Sequence, residues 1–236
     1  LKRSSHSVAP SGPMMATLAA ACAAGYIGKR WLLSALERHN AVANGRPLQL
    51  DFARRPFFLF FGGPRQHAGV PMNWGDRLDA FYPGGRESIA DLGLSAGRKF
   101  DFDVELTDTM DSWRLALWAE GQGRGEELLG AVGRRYFEER RKLADHAMLL
   151  EAVEEAGLNT SEARDVLNGD AFFQDVVRQY HWAVEEQGIH SIPLFLISDP
   201  SGTFREAVHG SASVEEFAKV LRNAAAAEGR ASEADL

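Results

Sequence analysis

Between Gly28 and Asn40 the apolar residues Trp31, Leu32, Ala35 and Leu36 recur at helical spacing, while Lys29, Arg30, Glu37 and Arg38 take the opposite face. This pattern predicts an amphipathic helix that opens within a few residues of Cys22. After the turn sequence ANGRP, the segment PLQLDFARRPFFLFF alternates and then becomes continuously apolar, as a strand buried on both faces does, with a bend or end at Pro56. The Gly, Pro and His-rich stretch from Gly62 to Val70 predicts a loop. From Asn73 to Gly188 the periodicity is helical almost throughout and predicts a bundle of short helices. Gly157 and Gly188 fall at left-handed cap positions, and Asn159 with Glu162 has capping-box spacing. The four-residue apolar run Leu194 to Ile197, between Pro193 and the turn DPSG, is too short for a helix and predicts a strand. TFREAVHG predicts another, and Ser213 with Glu216 opens a last helix, VEEFAKVLRNAAAA. The expected order is helix, strand, long helical block, strand, strand, helix, without internal repeats.

A chain of 236 residues suits one large domain, or a small domain with a substantial insertion, and can bury roughly 70% of its unfolded surface. With 26 Lys and Arg against 33 Asp and Glu, a net charge of -7 and no long basic run, nucleic acid is not an expected partner. One cysteine excludes an intramolecular disulfide and a zinc site of several thiolates. The seven histidines are scattered, and no two of them show the i, i+4 pairing with a glutamate that marks a zinc protease, so no metal site is expected. GGPRQHAG lacks the lysine and hydroxyl residue of a phosphate loop. The first 36 residues carry no Asp or Glu, and Lys2 and Arg3 precede the small apolar stretch PMMATLAAACAAG. That composition resembles a signal or transit segment and equally suits a flexible Ser and Ala-rich tail. It is too interrupted to span a bilayer, so a soluble protein is expected, with the compartment, cytoplasmic or organellar, left open.

The segment CAAGYIGKRWL, Cys22 to Leu32, resembles the CPWCYIGKRRL by which the FrnE-like branch of the DsbA family enters its first helix. TDTMDSWRLALWAEGQG, RRYFEERRKLADHAML, EEQGIHSIPLFLI and HGSASVEEF are similar to four further segments of that branch, in the same order. The branch is related to 2-hydroxychromene-2-carboxylate isomerases and kappa-class glutathione transferases. The resemblance implies an α/β protein with a thioredoxin-like fold interrupted by a large all-helical insertion. The thioredoxin-like domain would comprise residues 22–72 and 189–225 and the helical insertion residues 73–188, between tails at 1–21 and 226–236. Two departures bear on function. The second cysteine of the motif is Gly25 here, and the segment before Cys22, where the fold needs its first strand, lacks alternation and β-branched residues.

A dithiol site works because a helix N-terminus lowers the first thiol's pKa and a second thiol resolves the mixed disulfide. With Gly25 in the resolving place, Cys22 is left as a lone nucleophile served by glutathione or a protein thiol, or as a small half-buried hydrophobe. The resemblance adds substrate-binding positions at Gly25 and Tyr26, and a cis peptide between Ile192 and Pro193 beside the thiol. It also adds Asp108 and Arg114 near the cleft. Ser211, at the start of the last helix, either caps it or meets an anion, and His190, close to Pro193, is a candidate base. The aromatic residues Trp113, Trp118, Phe172, Phe173, Tyr180 and Trp182 are expected mostly in the core, with some lining the cleft. The implied function is a thiol oxidoreductase-type protein with at most monothiol or glutathione-linked activity and no tightly bound cofactor. Two alternatives are a catalytically inactive binding or scaffold subunit of a larger complex and an isomerase acting on an aromatic substrate.

Overall fold

The structure is a computed structural model that describes residues 14–19, 22–43, 47–58, 73–199, 204–210 and 212–234. Strand β1 (Met14–Ala19) leads into α1 (Ala23–Val42) and β2 (Leu50–Arg55). Seven helices follow: α2 (Trp74–Phe81), α3 (Gly85–Ser95), α4 (Met110–Glu120), α5 (Gly125–Glu139), α6 (His146–Glu155), α7 (Thr160–Asn168) and α8 (Phe173–His181), the last running into a π-helical turn at Trp182–Glu186. Strands β3 (Leu194–Ser198) and β4 (Arg205–His209) and helix α9 (Val214–Ala234) complete the described chain.

The sheet has the order β2-β1-β3-β4, with β1 parallel to β2 and antiparallel to β3, and β3 antiparallel to β4. Helices α1 and α9 share one apolar core with β3 through Leu32, Ala35, Phe195, Ile197, Phe217 and Leu221. A separate core lies within the helical block, where Leu115, Leu128, Met148, Leu149 and Val166 meet from α4, α5, α6 and α7. A third joins the two halves, since Ala23 and Ile27 of α1 pack with Trp74, Ile89, Phe100 and Phe137. Side chains at the helix starts explain several boundaries. Asn73 Oδ1 accepts from the Gly75 N–H at 2.8 Å, Asp145 Oδ1 from Ala147 at 2.9 Å, and Asn159 Oδ1 from Ser161 at 2.9 Å. The box at Ser213 is reciprocal: its hydroxyl accepts from the Glu216 N–H at 3.2 Å, and Glu216 Oε2 accepts from the Ser213 N–H at 2.6 Å.

Two expectations need correction. Residues 14–19, read from composition as part of a tail or targeting-like segment, form the strand between β2 and β3, so the first strand of the fold is present. Met-Met-Ala-Thr-Leu-Ala carries little intrinsic strand preference, and pairing on both edges overrides it. At the other end, α9 runs on to Ala234, so residues 226–234 continue a helix rather than forming a tail. The helix expected to open within a few residues of Cys22 begins at Ala23, because Cys22 caps it. The Gly62 to Val70 loop and residues 200–203 of the turn after β3 lie outside the described residues.

Candidate active site

Sheet register brings the candidate residues together. Ala19, the last residue of β1, pairs with Leu194 on one side and Arg55 on the other, and Leu18 pairs with Arg54. Cys22 lies three residues beyond Ala19, and Pro193 immediately precedes Leu194, so both sit at the same end of the two central strands. Cys22 has extended backbone and is the N-cap of α1, its Sγ accepting the Gly25 N–H at 3.3 Å. A sulfur here occupies the place of the usual capping oxygen. The Ile192–Pro193 peptide is cis, and the Pro193 carbonyl accepts from the Gly210 N–H at 2.8 Å.

Cys22 is in the wall between two cavities. The larger, about 420 Å³, lies between the thioredoxin-like half and the helical block; Phe57, Phe58, Trp74, Ile89 and Phe137 make it apolar, and Arg77, Thr109 and His190 bring polar groups. Ser191 and Ile192 also line it, so the sulfur and the loop before β3 face one space. The smaller, about 50 Å³, is lined by Cys22, Tyr26, Arg54, Ser112, Trp113 and Tyr136, among others. Although Cys22 keeps part of its surface open, burial around the sulfur dominates its chemistry. It pushes the thiol up to about 11, against the lowering influence of the Gly25 and Ala24 N–H groups and the Arg54 charge. The helix N-terminus is present, yet at neutral pH it caps a protonated thiol.

The other expected site residues divide into two groups. Gly25 lies in the first turn of α1 and gives its N–H to the sulfur, and His190 and Ile192 share the larger cavity with Cys22. Tyr26 faces only the smaller one. Its hydroxyl donates to Glu138 Oε1 at 2.7 Å, and burial with Glu138 raises it to about 12, which makes it a tie between α1 and α5. Asp108 and Arg114 line neither cavity. Asp108 Oδ1 accepts the Met110 N–H at 2.7 Å at the start of α4. Arg114, 5% exposed, donates to the carbonyls of Val166, Gly169 and Ala171 and pairs with Asp111 at 2.7 Å. It braces α4 against the chain between α7 and α8 and has no reach into the cleft. Ser211 lies outside the described residues.

Sequence reasoning missed Arg54, Arg77 and most of the cleft aromatics. Of the six aromatic residues proposed from periodicity only Trp113 lines either cavity, while Phe57, Phe58, Trp74, Tyr82, Tyr136 and Phe137 line the larger one. The signal was the FF pair just after β2, read there as continuing strand. Among the described residues no group of His, Cys, Asp and Glu could hold a metal ion, and no helix is long and apolar enough to cross a membrane.

The chain is similar to a probable DsbA oxidoreductase from Streptomyces coelicolor, with 25% identity over 89% of each chain and a TM-score of 0.73. The cytosolic disulfide reductase DsbM from Pseudomonas aeruginosa, solved with GSH, is 19% identical over 90% of this chain and 98% of its own, with a TM-score of 0.56. A 2-hydroxychromene-2-carboxylate isomerase is 12% identical over 94% of this chain and 97% of its own, at 0.57. No curated protein matches the chain significantly. The profile of the DsbA-like thioredoxin domain matches residues 21–222, from the residue before the capping cysteine into α9. With the sheet order, the helical block between β2 and β3 and the capping cysteine, that match assigns the chain to the family of DsbA-like thioredoxin domains.

Proposed function

We propose that the protein is a glutathione-linked member of this thiol oxidoreductase family in which Cys22 donates a hydrogen bond to a second sulfur instead of acting as a free thiolate. One observation carries the reading: the sulfur caps α1 in the wall of a 420 Å³ cavity, where burial pushes the thiol up to about 11. Disulfide exchange proceeds through the thiolate. A thiol with a pKa near 11 is ionised in only about one molecule in ten thousand at pH 7. Gly25 also leaves no second sulfur to release a mixed disulfide. Both requirements of a dithiol cycle are therefore unmet, whereas a thiol that keeps its proton is suited to donate S–H to an anionic sulfur. The resemblance to glutathione transferases assigns that role to a serine at this position.

The cavity fits such a ligand. Its volume falls within the roughly 300–1,000 Å³ of small-molecule pockets. Arg77 offers a cation for a carboxylate, and Thr109 and Ser191 add hydroxyls. Phe57, Phe58 and Trp74 leave an apolar wall for a co-substrate. DsbM, solved with GSH, shares the fold. The same protonated thiol also suits a non-catalytic binding protein, and neither reading calls on a larger complex. Glutathione separates them. Titrated by thiolate absorbance, bound glutathione should ionise about one to two pKa units below the free tripeptide, the worth of a hydrogen bond to a charged group. Cys22→Ser should keep the shift and Cys22→Ala should lose it. Absence of glutathione binding, or a Cys22→Ala protein with the same shift, overturns the proposal.

A further inference from the structure

Near the smaller cavity that Cys22 lines, three charged side chains from three elements meet. Arg54 of β2 forms a two-pronged pair with Glu126 near the start of α5, Nε to Oε1 at 2.8 Å and Nη2 to Oε2 at 3.2 Å. Lys29 of α1 reaches the same Oε2 and lies 5.0 Å from the centroid of the Phe52 ring. The Arg54 side chain is 9% exposed, that of Glu126 19% and that of Lys29 23%, so water screens the group weakly. Within this trio two cations share one carboxylate, while on another side Arg54 and Glu126 line a pocket with Asp51, Glu120 and Glu127. Arg54 is also the member of this group that lines the small cavity with Cys22.

A bidentate ion pair alone would account for Arg54 and Glu126 as a fastener between β2 and the helical block. Lys29 exceeds that need. A second cation shares the carboxylate, so Glu126 neutralises Arg54 only in part. Among the described residues that line the small cavity none is an acid. Tyr26 of α1 donates to Glu138, whose carboxylate also pairs with Arg98 at 3.2 Å. Tyr136 of α5 is buried and kept neutral by burial. Arg77 and His190 face the larger cavity. What remains at that wall is the sulfur position.

We infer that Lys29, Arg54 and Glu126 form a counter-charge for an anionic sulfur at the Cys22 position, with Arg54 as the positioning residue and Glu126 holding and attenuating its charge. The inference rests on the glutathione reading only for which sulfur bears the charge in the working protein. The field itself acts on Cys22 without glutathione. Although burial alone would raise it, Arg54 and Lys29 hold the Glu126 carboxyl below its usual range, so the arrangement stays charged at neutral pH. Removing Arg54 should make the sulfur harder to ionise, and neutralising Glu126 should make it easier.

The test is the pH profile of iodoacetamide alkylation of Cys22, the one thiol in the chain, in the full protein without glutathione. The readout is the profile's midpoint, which changes of access to the sulfur do not move. Arg54→Met should lower the thiolate fraction at a given pH about tenfold, a shift of one pKa unit. Arg54→Lys should restore most of it, and Glu126→Gln should raise it by a similar factor. A purely structural role predicts no change, or the same change in Arg54→Met and Glu126→Gln, and either result overturns the inference. If Arg54→Met fails to fold, Arg54→Lys and Glu126→Gln decide: a Glu126→Gln midpoint at or above the unaltered protein's is contrary. Midpoints that move as stated in a protein that binds no glutathione would uphold the counter-charge and remove the glutathione reading, and the reverse pattern would do the opposite.

Discussion

Helix α1 crosses β3 at Gly28, and the contact is close enough to turn an ordinarily favourable substitution into a harmful one. A Cβ at Gly28 would lie 2.5 Å from Phe195 Cζ and 3.0 Å from Cε2. Phe195 cannot retreat freely, being 1% exposed and set edge-on to Phe217 with centroids 4.9 Å apart. Overpacking of this kind costs about 1–3 kcal/mol, and the helix-propensity gain of Gly→Ala returns up to about 1 kcal/mol. Gly28→Ala should therefore destabilise by about 1–2 kcal/mol, which at roughly 2–4 °C per kcal/mol for a chain of this size lowers Tm by about 2–8 °C. Gly130 in α5 is the control, since a Cβ there meets nothing within 4 Å. Gly130→Ala should raise Tm by about 1–4 °C through helix propensity alone. Thermal unfolding followed by far-UV circular dichroism reads both. If Gly28→Ala is as stable as the unaltered protein, or the two variants shift in the same direction, the close crossing of α1 over β3 is wrong. The site would be affected too, because Phe195 stands two residues after Pro193.

Arg114→Met would strip the guanidinium from three carbonyls and leave Asp111 with His146 alone, and should cost about 3–5 kcal/mol in a urea titration; a loss under 1 kcal/mol would mean that Arg114 does not brace the helical block. Ser213→Ala removes the hydroxyl that accepts the Glu216 N–H, while the backbone N–H at this position still reaches Glu216 Oε2, and should cost about 1 kcal/mol; an unchanged urea midpoint would contradict the hydroxyl cap. Cys22 and Tyr26 hold their protons more tightly folded than unfolded, with the thiol moved from 9.0 to about 11 and the phenol from 10.0 to about 12. Their contributions are fully present below the unfolded values and are lost as pH rises through the folded ones. The urea midpoint should accordingly decline from about pH 9 upward, and Cys22→Ser should remove the earlier part of the decline. Equal stability at pH 8 and pH 11 would contradict both shifts.

The legible parts of the fold were those in which a local signal and the tertiary role agree. The helical block could be read because its apolar spacing and its caps at Asn159, Gly157 and Gly188 are local, and both glycines adopt positive φ. β3 was legible from four apolar residues between Pro193 and a turn. β1 was not, because its strand character comes from two neighbours that are distant in sequence. Of the site, motif resemblance led to Cys22, Gly25 and Ile192, which do come together. Arg114 was misplaced because an arginine in a helix near a cleft looks the same in sequence whether its guanidinium faces ligand or backbone carbonyls. Arg54 was invisible for the complementary reason. Its partners Lys29 and Glu126 lie on two other elements, and only the parallel pairing of β1 with β2 brings it beside the sulfur. The thiol's charge state was the least legible feature, since a helix N-terminus argues for a lowered pKa and only the packing around the sulfur reverses it.

The most direct measurement is the ultraviolet thiolate titration of the unaltered protein, read as a difference against Cys22→Ser so that tyrosine ionisation cancels. A midpoint near 11, with almost no thiolate at pH 8, is the predicted result. A midpoint at or below the ~8.5 of a free thiol would make Cys22 a conventional nucleophile and contradict its role as a proton-holding donor.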